Sequence, residues 1–278
     1  MIDGLGDVAG DYDALLCDAW GVVHNGRRVF DGVAEALTRF RAERGPVVIL
    51  TNAPKPSRVI PGQLDRLGLP RGAYDAVVTS GDVTRAAIAE RLPQPAYAIG
   101  WRSDEALYAG LDVRLTRLEE AGFVVCTGLE EDGPQDPEAY RPRLAEAADR
   151  GLTMVCANPD IVVRWGDKLL WCAGALARIY EELGGAVVYA GKPHAPIYAL
   201  AFAALEEAAG APVPRDRALA IGDGLRTDIE GANRAGVDAV FIAGVGGIHD
   251  GGIDAGAIAA ALDEAGVRAR AAATGLVW

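Results

Sequence analysis

The chain has 278 residues and a formal net charge of −12 at pH 7. Such an acidic balance argues against nucleic acid and against an anionic membrane surface as partners. A chain of this length buries roughly 75% of the surface that its unfolded state exposes, so its core needs no covalent cross-links, and it has room for one large domain or two smaller ones.

The first part of the chain alternates short apolar runs with helical patterns. An apolar run ends at Asp18 and predicts a buried strand, and VVHNG predicts a further strand with a turn at Asn25-Gly26. The next predicted elements are a helix (GVAEALTRFRAER), a strand that ends at Thr51-Asn52 (PVVILTNA), a helix (QLDRLG) and a strand (YDAVVTS). This order predicts an α/β fold whose parallel sheet is covered by helices on both faces.

The same rhythm continues from about Gly81, but acidic residues at strand ends become sparse. The predicted elements are a helix (DVTRAAIAERL), a strand (AYAIG), a helix (DEALYAG), a strand (FVVCTG), a helix (PEAYRPRLAEAADRG), a strand (TMVCANPD) and a helix from about Leu170 to Leu183. We interpret residues 83–186 as an inserted α/β domain. It would separate two segments, 1–82 and 187–278, of a single core domain.

The second core segment returns to the first pattern. Its predicted elements are a strand (AVVYAGKPH), a helix from about Ala195 to Ala209, a strand (ALAIGDG), a helix stopped by Gly236, a strand (DAVFIAG) and a helix (GGIDAGAIAAALDEAG).

Polar side chains stand where the predicted core strands end. They are Asp18, Thr51, Lys192 and Asp223, with Asp228 five residues further on. Since the carboxyl ends of parallel strands lie at one edge of the sheet, we expect these side chains to meet there. Carboxylates brought together repel one another and take up protons unless a cation is present, and Mg²⁺ is a hard ion that prefers such oxygen ligands.

The chemistry of these residue types suits phosphoryl transfer. Thr51 can donate a hydroxyl hydrogen bond to a phosphate oxygen, and Asn52 can donate one from its backbone N–H. Lys192 can neutralise charge on the phosphate and on the nucleophile. A carboxylate beside the metal, such as that of Asp18, is a plausible nucleophile that would form an aspartyl phosphate.

Each of these residues also has a purely structural interpretation. Asp18 is compatible with a loop cap, Thr51 with an ordinary strand residue, and Lys192 with a solvent-exposed loop lysine. Thr227 and Glu230 match the pattern of a helix capping box. The joint occurrence of the residues, in this order, favours a functional site.

Four stretches of the chain resemble motifs one to four of the haloacid dehalogenase superfamily: LLCDAWGVV, VILTN, AGKPHAPIY and AIGDGLRTDI. The insert resembles the cap of the class IIA branch, the NagD-like and nitrophenyl-phosphatase-like proteins. The resemblance covers nearly the whole chain. It implies a Rossmann-like core, an α/β cap of the C2 type, Mg²⁺ as cofactor and phosphatase activity on a small phosphorylated metabolite.

The resemblance also implies a role for each matching position. Asp18 matches the nucleophile and metal ligand, Thr51 the phosphate-binding hydroxyl, and Lys192 the lysine of motif three. Asp223 matches the second metal carboxylate, and Asp228 matches the acid that supports the metal shell.

The position two residues after Asp18 departs from the family pattern. The family has a second Asp there, which protonates the leaving oxygen and later activates water, whereas this chain has Trp20. The backbone carbonyl of Trp20 is still able to bind the metal, but its indole is neither an acid nor a base near neutral pH. Loss of a general acid typically lowers the rate by about 10²–10⁴-fold.

Three interpretations of Trp20 stay open. The enzyme acts on phosphate esters with good leaving groups, or it takes an acid from His24, from the cap or from the substrate. In the third interpretation, the protein is a phosphoryl-ligand-binding or regulatory module with a degenerate active site.

In the insert, ANPDIVVRW resembles the class IIA loop that faces the active site, which makes Asn158 and Asp160 candidate substrate-side residues. A turn built by Asn-Pro-Asp is an equally good interpretation. We expect the tryptophans of this domain to lie in its core and not on a stacking surface: Trp101, Trp165 and Trp171.

The four cysteines are far apart and lie among apolar neighbours, which predicts buried reduced thiols: Cys17, Cys126, Cys156 and Cys172. The first residues lack the pattern of a signal peptide, and no apolar run approaches the roughly 18 residues of a membrane span. We therefore expect a cytoplasmic protein, and the resemblance suggests a homodimer.

Overall fold

The structure, a computed structural model, describes residues 1–165, 168–244 and 254–278. Within these residues the strands are β1 (Ala14–Cys17), β2 (Val47–Thr51), β3 (Ala76–Thr79), β4 (Ala96–Ile99), β5 (Phe123–Cys126), β6 (Thr153–Cys156), β7 (Val162–Trp165), β8 (Lys168–Trp171), β9 (Ala186–Tyr189), β10 (Ala218–Gly222), β11 (Asp238–Ile242) and β12 (Ala271–Ala273). The helices are α1 (Gly6–Ala9), α2 (Val33–Glu43), α3 (Ile60–Leu67), α4 (Ser80–Ala89), α5 (Arg141–Asp149), α6 (Ala173–Glu182), α7 (Ala195–Ala209), α8 (Glu230–Ala235) and α9 (Ala255–Ala265).

The larger sheet has the strand order β12-β11-β10-β1-β2-β3, and each neighbouring pair is parallel. Its central strand, β1, lies between β10 and β2, which come from opposite ends of the chain. The predicted α/β fold with a parallel core sheet is therefore confirmed. The arrangement brings the carboxyl ends of β1, β2 and β10 side by side.

Apolar residues cover both faces of this sheet. Leu15 and Cys17 of β1 pack in one cluster with Phe40 of α2, whereas Ala14 and Leu16 pack in another with residues of α7. Successive side chains of a strand point to opposite faces, so a strand buried on both sides must be apolar at every position. This explains the uninterrupted apolar runs in the sequence.

The inserted cap contains a second parallel sheet, in the order β4-β5-β6-β9. Residues of α5 and α6 pack on one face of it, and Ile88 of α4 packs on the other. The strands β7 and β8 form an antiparallel hairpin that follows β6. An α/β cap on a Rossmann-like core was predicted, and the structure has one.

Two details of the predicted insert are wrong. The boundary at residue 186 falls within β9, which pairs with β6, so the chain leaves the cap sheet only after Tyr189. An apolar strand does not reveal in its sequence which sheet it will join. The helix expected from about Leu170 begins at Ala173, because residues 168–171 form β8 of the hairpin.

Other local predictions also fail. VVHNG is not a strand, because the N–H groups of Val23 and His24 both bond the carbonyl of Ala19 and turn the chain tightly. DEALYAG belongs to a short 3₁₀ segment and the turn after it, and is not an α-helix. Of the residues predicted for the last helix, 251–253 lie outside the described residues, and α9 begins at Ala255.

The prediction for the cap tryptophans is wrong where the structure describes them. Trp101 is 39% exposed and Trp171 is 46% exposed, while the side chain of Trp165 is outside the described part. The four cysteines are buried and free of disulfides, as predicted. Among the described helices, none combines the length and apolar character needed to cross a bilayer.

Candidate active site

Three neighbouring strands deliver polar residues to one edge of the core sheet. Asp18 follows β1, Thr51 ends β2 and Asp223 follows β10, and all three are buried. The backbone N–H of Asp18 donates to the carbonyl of Ile221 at 2.9 Å and continues the β1–β10 ladder to the first residue of the loop. The convergence of these strand ends agrees with the sequence prediction.

Lys192 joins this group from the other sheet, three residues after the end of β9. Its Nζ lies 2.5 Å from Oδ1 of Asp18, 2.6 Å from Oδ1 of Asp228 and 2.9 Å from the carbonyl oxygen of Leu50. Burial opposes the charge of this lysine, yet the two carboxylates raise its pKa well above the ordinary value. Lys192 is therefore a buried cation and not a solvated loop residue.

The carboxylates of Asp18, Asp223 and Asp228 form a compact cluster whose potential ligand atoms lie within 4.8 Å of one another. Burial raises the pKa of Asp18 to about 8, against the attraction of Lys192. Burial and then the charge of Asp18 raise the pKa of Asp223 well above its usual range. A hard divalent cation fits these oxygen donors, because its charge would relieve the desolvation and repulsion that favour protonation.

The backbone conformation of the loops around the cluster allows the carboxylates to lie close together. Gly21 has φ of +88°, which favours glycine, and a Cβ there would stand 2.1 Å from Oδ2 of Asp223, so a side chain would displace this carboxylate. One turn of π-helix, Leu225–Ile229, positions Asp228, whose Oδ2 accepts from the N–H of Gly224 at 2.9 Å. The alternative in which Thr227 and Glu230 form a capping box is not realised, because no side chain caps α8.

Asn52 connects the core to the cap. Its Oδ1 accepts from the N–H of Lys192 at 2.8 Å, and its Nδ2 donates to Oδ1 of Asp160 at 2.9 Å. A Cβ at Gly191 would stand 2.3 Å from the same Oδ1, so the backbone passes close to this amide. The sequence indicated Asn52 for its backbone N–H, whereas its side chain makes the contacts seen in the structure.

Trp20 also reaches the cap. Its Nε1 donates to the carbonyl oxygen of Arg164 in β7 at 2.6 Å, and its ring meets His24 edge-on with centroids 5.2 Å apart. Burial lowers the pKa of His24 to about 4, so this histidine is neutral at pH 7. Trp20, which stands where the family pattern has a second Asp, therefore makes a contact between the core and the cap.

These residues line a cavity of about 440 Å³ between the core and the cap. Asp18, Thr51, Lys192 and Asp223 form part of its wall, and Asn158 and Asp160 contribute from the cap. All the site residues predicted from the sequence thus lie around one cavity. Their roles in binding or catalysis stay predictions.

The apolar part of the cavity wall was not predicted from the sequence. Ile60, Leu64 and Leu67 of α3 line it together with Val162 and Val163 of β7. The spacing of the α3 residues indicates an apolar helix face, but it does not tell whether that face borders the core or a cavity. Trp101, mispredicted as a core residue, lines the cavity as well.

Comparisons with known proteins agree with this architecture. A model of the haloacid dehalogenase-like hydrolases matches residues 15–123, and a HAD-hydrolase-like model matches residues 189–265. A haloacid dehalogenase-like hydrolase from Brucella suis 1330, whose crystal structure is known, has 44% sequence identity to this chain. The comparison covers 100% of both chains and gives a TM-score of 0.89. The chain belongs to the haloacid dehalogenase-like hydrolase family.

Other family members are more distant. D-glycerol 3-phosphate phosphatase of Mycobacterium tuberculosis is 29% identical over 243 residues, which are 84% of this chain and 64% of that protein. The chain thus spans just under two thirds of the length of this relative. A glycerol phosphate phosphatase from M. tuberculosis, solved in complex with calcium, is 27% identical with a TM-score of 0.63, over 87% of this chain and 68% of the other.

Proposed function

We propose that the protein is a divalent-metal-dependent phosphatase that hydrolyses a small phosphate monoester through an aspartyl-phosphate intermediate, with Asp18 as nucleophile. The observation that carries the proposal is the buried contact of Asp18 with Lys192 inside a cluster of three carboxylates. The M. tuberculosis relative named as a D-glycerol 3-phosphate phosphatase supports a small phosphorylated metabolite as substrate.

The residues of the chain have separate tasks in this proposal. Lys192 keeps a positive charge beside Asp18, which favours the ionised carboxylate and attracts the phosphoryl group. Thr51 accepts from the N–H of Ala53 at 3.2 Å, so its hydroxyl hydrogen can point to a phosphate oxygen. The cap closes the cavity and limits the access of water to the reacting groups.

The carboxylates of Asp18, Asp223 and Asp228 would hold the metal, with Mg²⁺ as the proposed ion and the carbonyl of Trp20 as a further ligand. When bound, the cation neutralises charge on the transferred phosphoryl group and orients it. The glycerol phosphate phosphatase from M. tuberculosis was solved in complex with calcium, which supports a divalent cation as a ligand of this chain. The subgroup with Trp in place of the second Asp, the cytoplasmic location and the homodimer also remain proposals.

The test measures release of phosphate from p-nitrophenyl phosphate, with and without Mg²⁺, by the wild type, Asp18→Asn and Asp13→Asn. Asp13 precedes β1 at its other end, where it pairs with Arg217 on the surface, so it is a matched control. We expect metal-dependent turnover that Asp18→Asn abolishes and Asp13→Asn keeps. Absence of turnover in a wild type that binds Mg²⁺ would contradict the proposed activity and favour a ligand-binding module.

A further inference from the structure

The site has a nucleophile and a candidate metal cluster, but Trp20 leaves it without the acid that a phosphatase needs for poor leaving groups. A substitute must be titratable and must line the cavity. The titratable side chains of the described cavity wall are Asp18, His24, Lys55, Arg66, Asp160, Arg164, Lys192, Asp223 and Asp228.

Most of these groups are unsuitable as the acid. Lysine and arginine hold their protons too tightly near neutral pH, and three of the carboxylates already form the cluster around the nucleophile. His24 is neutral, and its Nδ1 accepts from the N–H of Gly26 at 3.1 Å. The N–H that it retains is a very weak acid. Asp160 is the titratable group that remains in the described wall.

Asp160 is held in place from two sides. Its Oδ1 accepts from Nδ2 of Asn52 at 2.9 Å, and its backbone N–H donates to Oδ1 of Asn158 at 3.1 Å. It lies in the loop after β6 of the cap and lines the cavity, and its partner Asn52 follows β2 at the carboxyl edge of the core sheet. In an in-line displacement the leaving group departs opposite the attacking oxygen of Asp18, which is into the cavity that Asp160 lines.

The surroundings of Asp160 suit proton transfer. Burial raises its pKa to about 6, while Lys192 and the hydrogen bond from Asn52 lower it and Asp228 raises it. A bound phosphate dianion adds negative charge nearby and favours the protonated form, while the charge of the proposed cation acts in the opposite direction. A general acid works best with a pKa close to the working pH.

We propose that Asp160 is the general acid and base of this site, in the place of the acid that motif one lacks. The inference rests on the proposed phosphatase function. An oxygen of Asp18 attacks phosphorus, the ester P–O bond breaks, and the leaving oxygen takes the proton of Asp160 and departs as the alcohol or phenol.

The second half of the reaction restores both acids. The Asp160 carboxylate accepts a proton from a water molecule whose oxygen attacks the phosphorus of the aspartyl phosphate. The bond between phosphorus and Asp18 then breaks, which releases inorganic phosphate and returns Asp18 as a carboxylate and Asp160 in its protonated form.

The experiment compares Asp160→Asn with the wild type on two substrates of similar shape, phenyl phosphate and p-nitrophenyl phosphate. Phenolate is a poor leaving group and needs a proton, whereas p-nitrophenolate needs little assistance. We expect kcat/KM for phenyl phosphate to fall by about 10²–10⁴-fold and that for p-nitrophenyl phosphate to fall by less than about tenfold. Asp160→Glu, which keeps a carboxyl group, should retain part of the activity on phenyl phosphate.

Inhibition by inorganic phosphate shows whether the site of Asp160→Asn is intact, and its inhibition constant should stay close to that of the wild type. Equal losses on the two substrates would overturn the inference. So would equal activity of Asp160→Asn and Asp160→Glu on phenyl phosphate. These results are distinct from failure of the proposed function, in which the wild type itself hydrolyses neither substrate.

Discussion

His24 illustrates how a single buried side chain links the active-site loop to pH. It is 7% exposed, its Nδ1 accepts from the N–H of Gly26, and it contacts the ring of Trp20. Burial disfavours its charged form and lowers the pKa to about 4. The loop that carries Asp18 is therefore built around a histidine that the folded protein keeps neutral.

We predict that this histidine makes the protein less stable as the pH falls. Between pH 6.5 and about 4 the unfolded chain protonates His24 and the folded chain does not, so stability decreases as the pH drops through 6.5 and the loss levels off below about 4. From pH 7 to pH 5 this amounts to about 2 kcal/mol of unfolding free energy.

The variant His24→Asn should lack this dependence, so the stability advantage of the wild type should shrink at pH 5. Urea unfolding of the wild type and of His24→Asn at pH 7 and pH 5 measures this change in the free energy of unfolding. A difference between the proteins that does not change with pH would show that folding does not lower the pKa of His24.

At the scale of residues, the positions of the strand-end acids could be predicted, because each follows an apolar run that is visible in the sequence. The partners of these residues could not. The bond from Trp20 to the carbonyl of Arg164 spans 144 positions, and a backbone carbonyl has no signature in the sequence. The contact between the side chains of Asn52 and Asp160 spans 108 positions, and nothing in the local sequence of either residue indicates it.

At the scale of elements, the β7–β8 hairpin is the part of the cap that meets the active-site loop. Val162, Val163 and Arg164 of β7 line the cavity, and the carbonyl of Arg164 accepts from Trp20. The helix predicted from about Leu170 overlapped the last two residues of β8, although the sequence Gly166-Asp167 is of a type that favours hairpins. The helical pattern of the residues in α6 led to the prediction of a helix where β8 ends.

Trp20→Phe should loosen this contact while it keeps an aromatic ring in place. Loss of a hydrogen bond typically costs about 0.5–1.5 kcal/mol, so amide hydrogen exchange in β7 and β8 should accelerate by about two- to tenfold. Amides of β11, on the far side of the core sheet, should be unchanged and serve as the internal control.

The matched substitution Trp278→Phe alters a tryptophan that stacks on Arg39, away from the cavity. It should leave the exchange of the hairpin as it is in the wild type. Equal acceleration in the two variants would contradict a specific role of Trp20 in holding the hairpin.

At the scale of the molecule, a protein with a net charge of −12 buries three carboxylates and one lysine at a single place. The alternation of strands and helices was sufficient to predict an α/β core with an α/β insert. It was not sufficient to assign β9 to its sheet, or to find β12, whose three alanines have low strand propensity. Such choices depend on contacts between distant parts of the chain.

We predict that Mg²⁺ stabilises the whole fold through this cluster. A ligand that binds only the folded state adds about 2.7 kcal/mol at a concentration of 100 times its Kd, which raises the melting temperature by several degrees. Asp223→Asn should remove most of this shift, whereas Asp13→Asn should keep it. Thermal unfolding of the three proteins across a Mg²⁺ titration provides the measurement, and a full shift in Asp223→Asn would refute the metal assignment.

The short path from β9 to Lys192 has a consequence for domain motion. Only Ala190 and Gly191 separate the last strand of the cap from the lysine that holds Asp18 and Asp228. A rotation of the cap sheet would therefore pull on that lysine as well as widen the cavity. An opening motion that exchanges substrate and product would therefore also withdraw Lys192 from Asp18. The nucleophile would then lose its activating partner whenever it is exposed to bulk water.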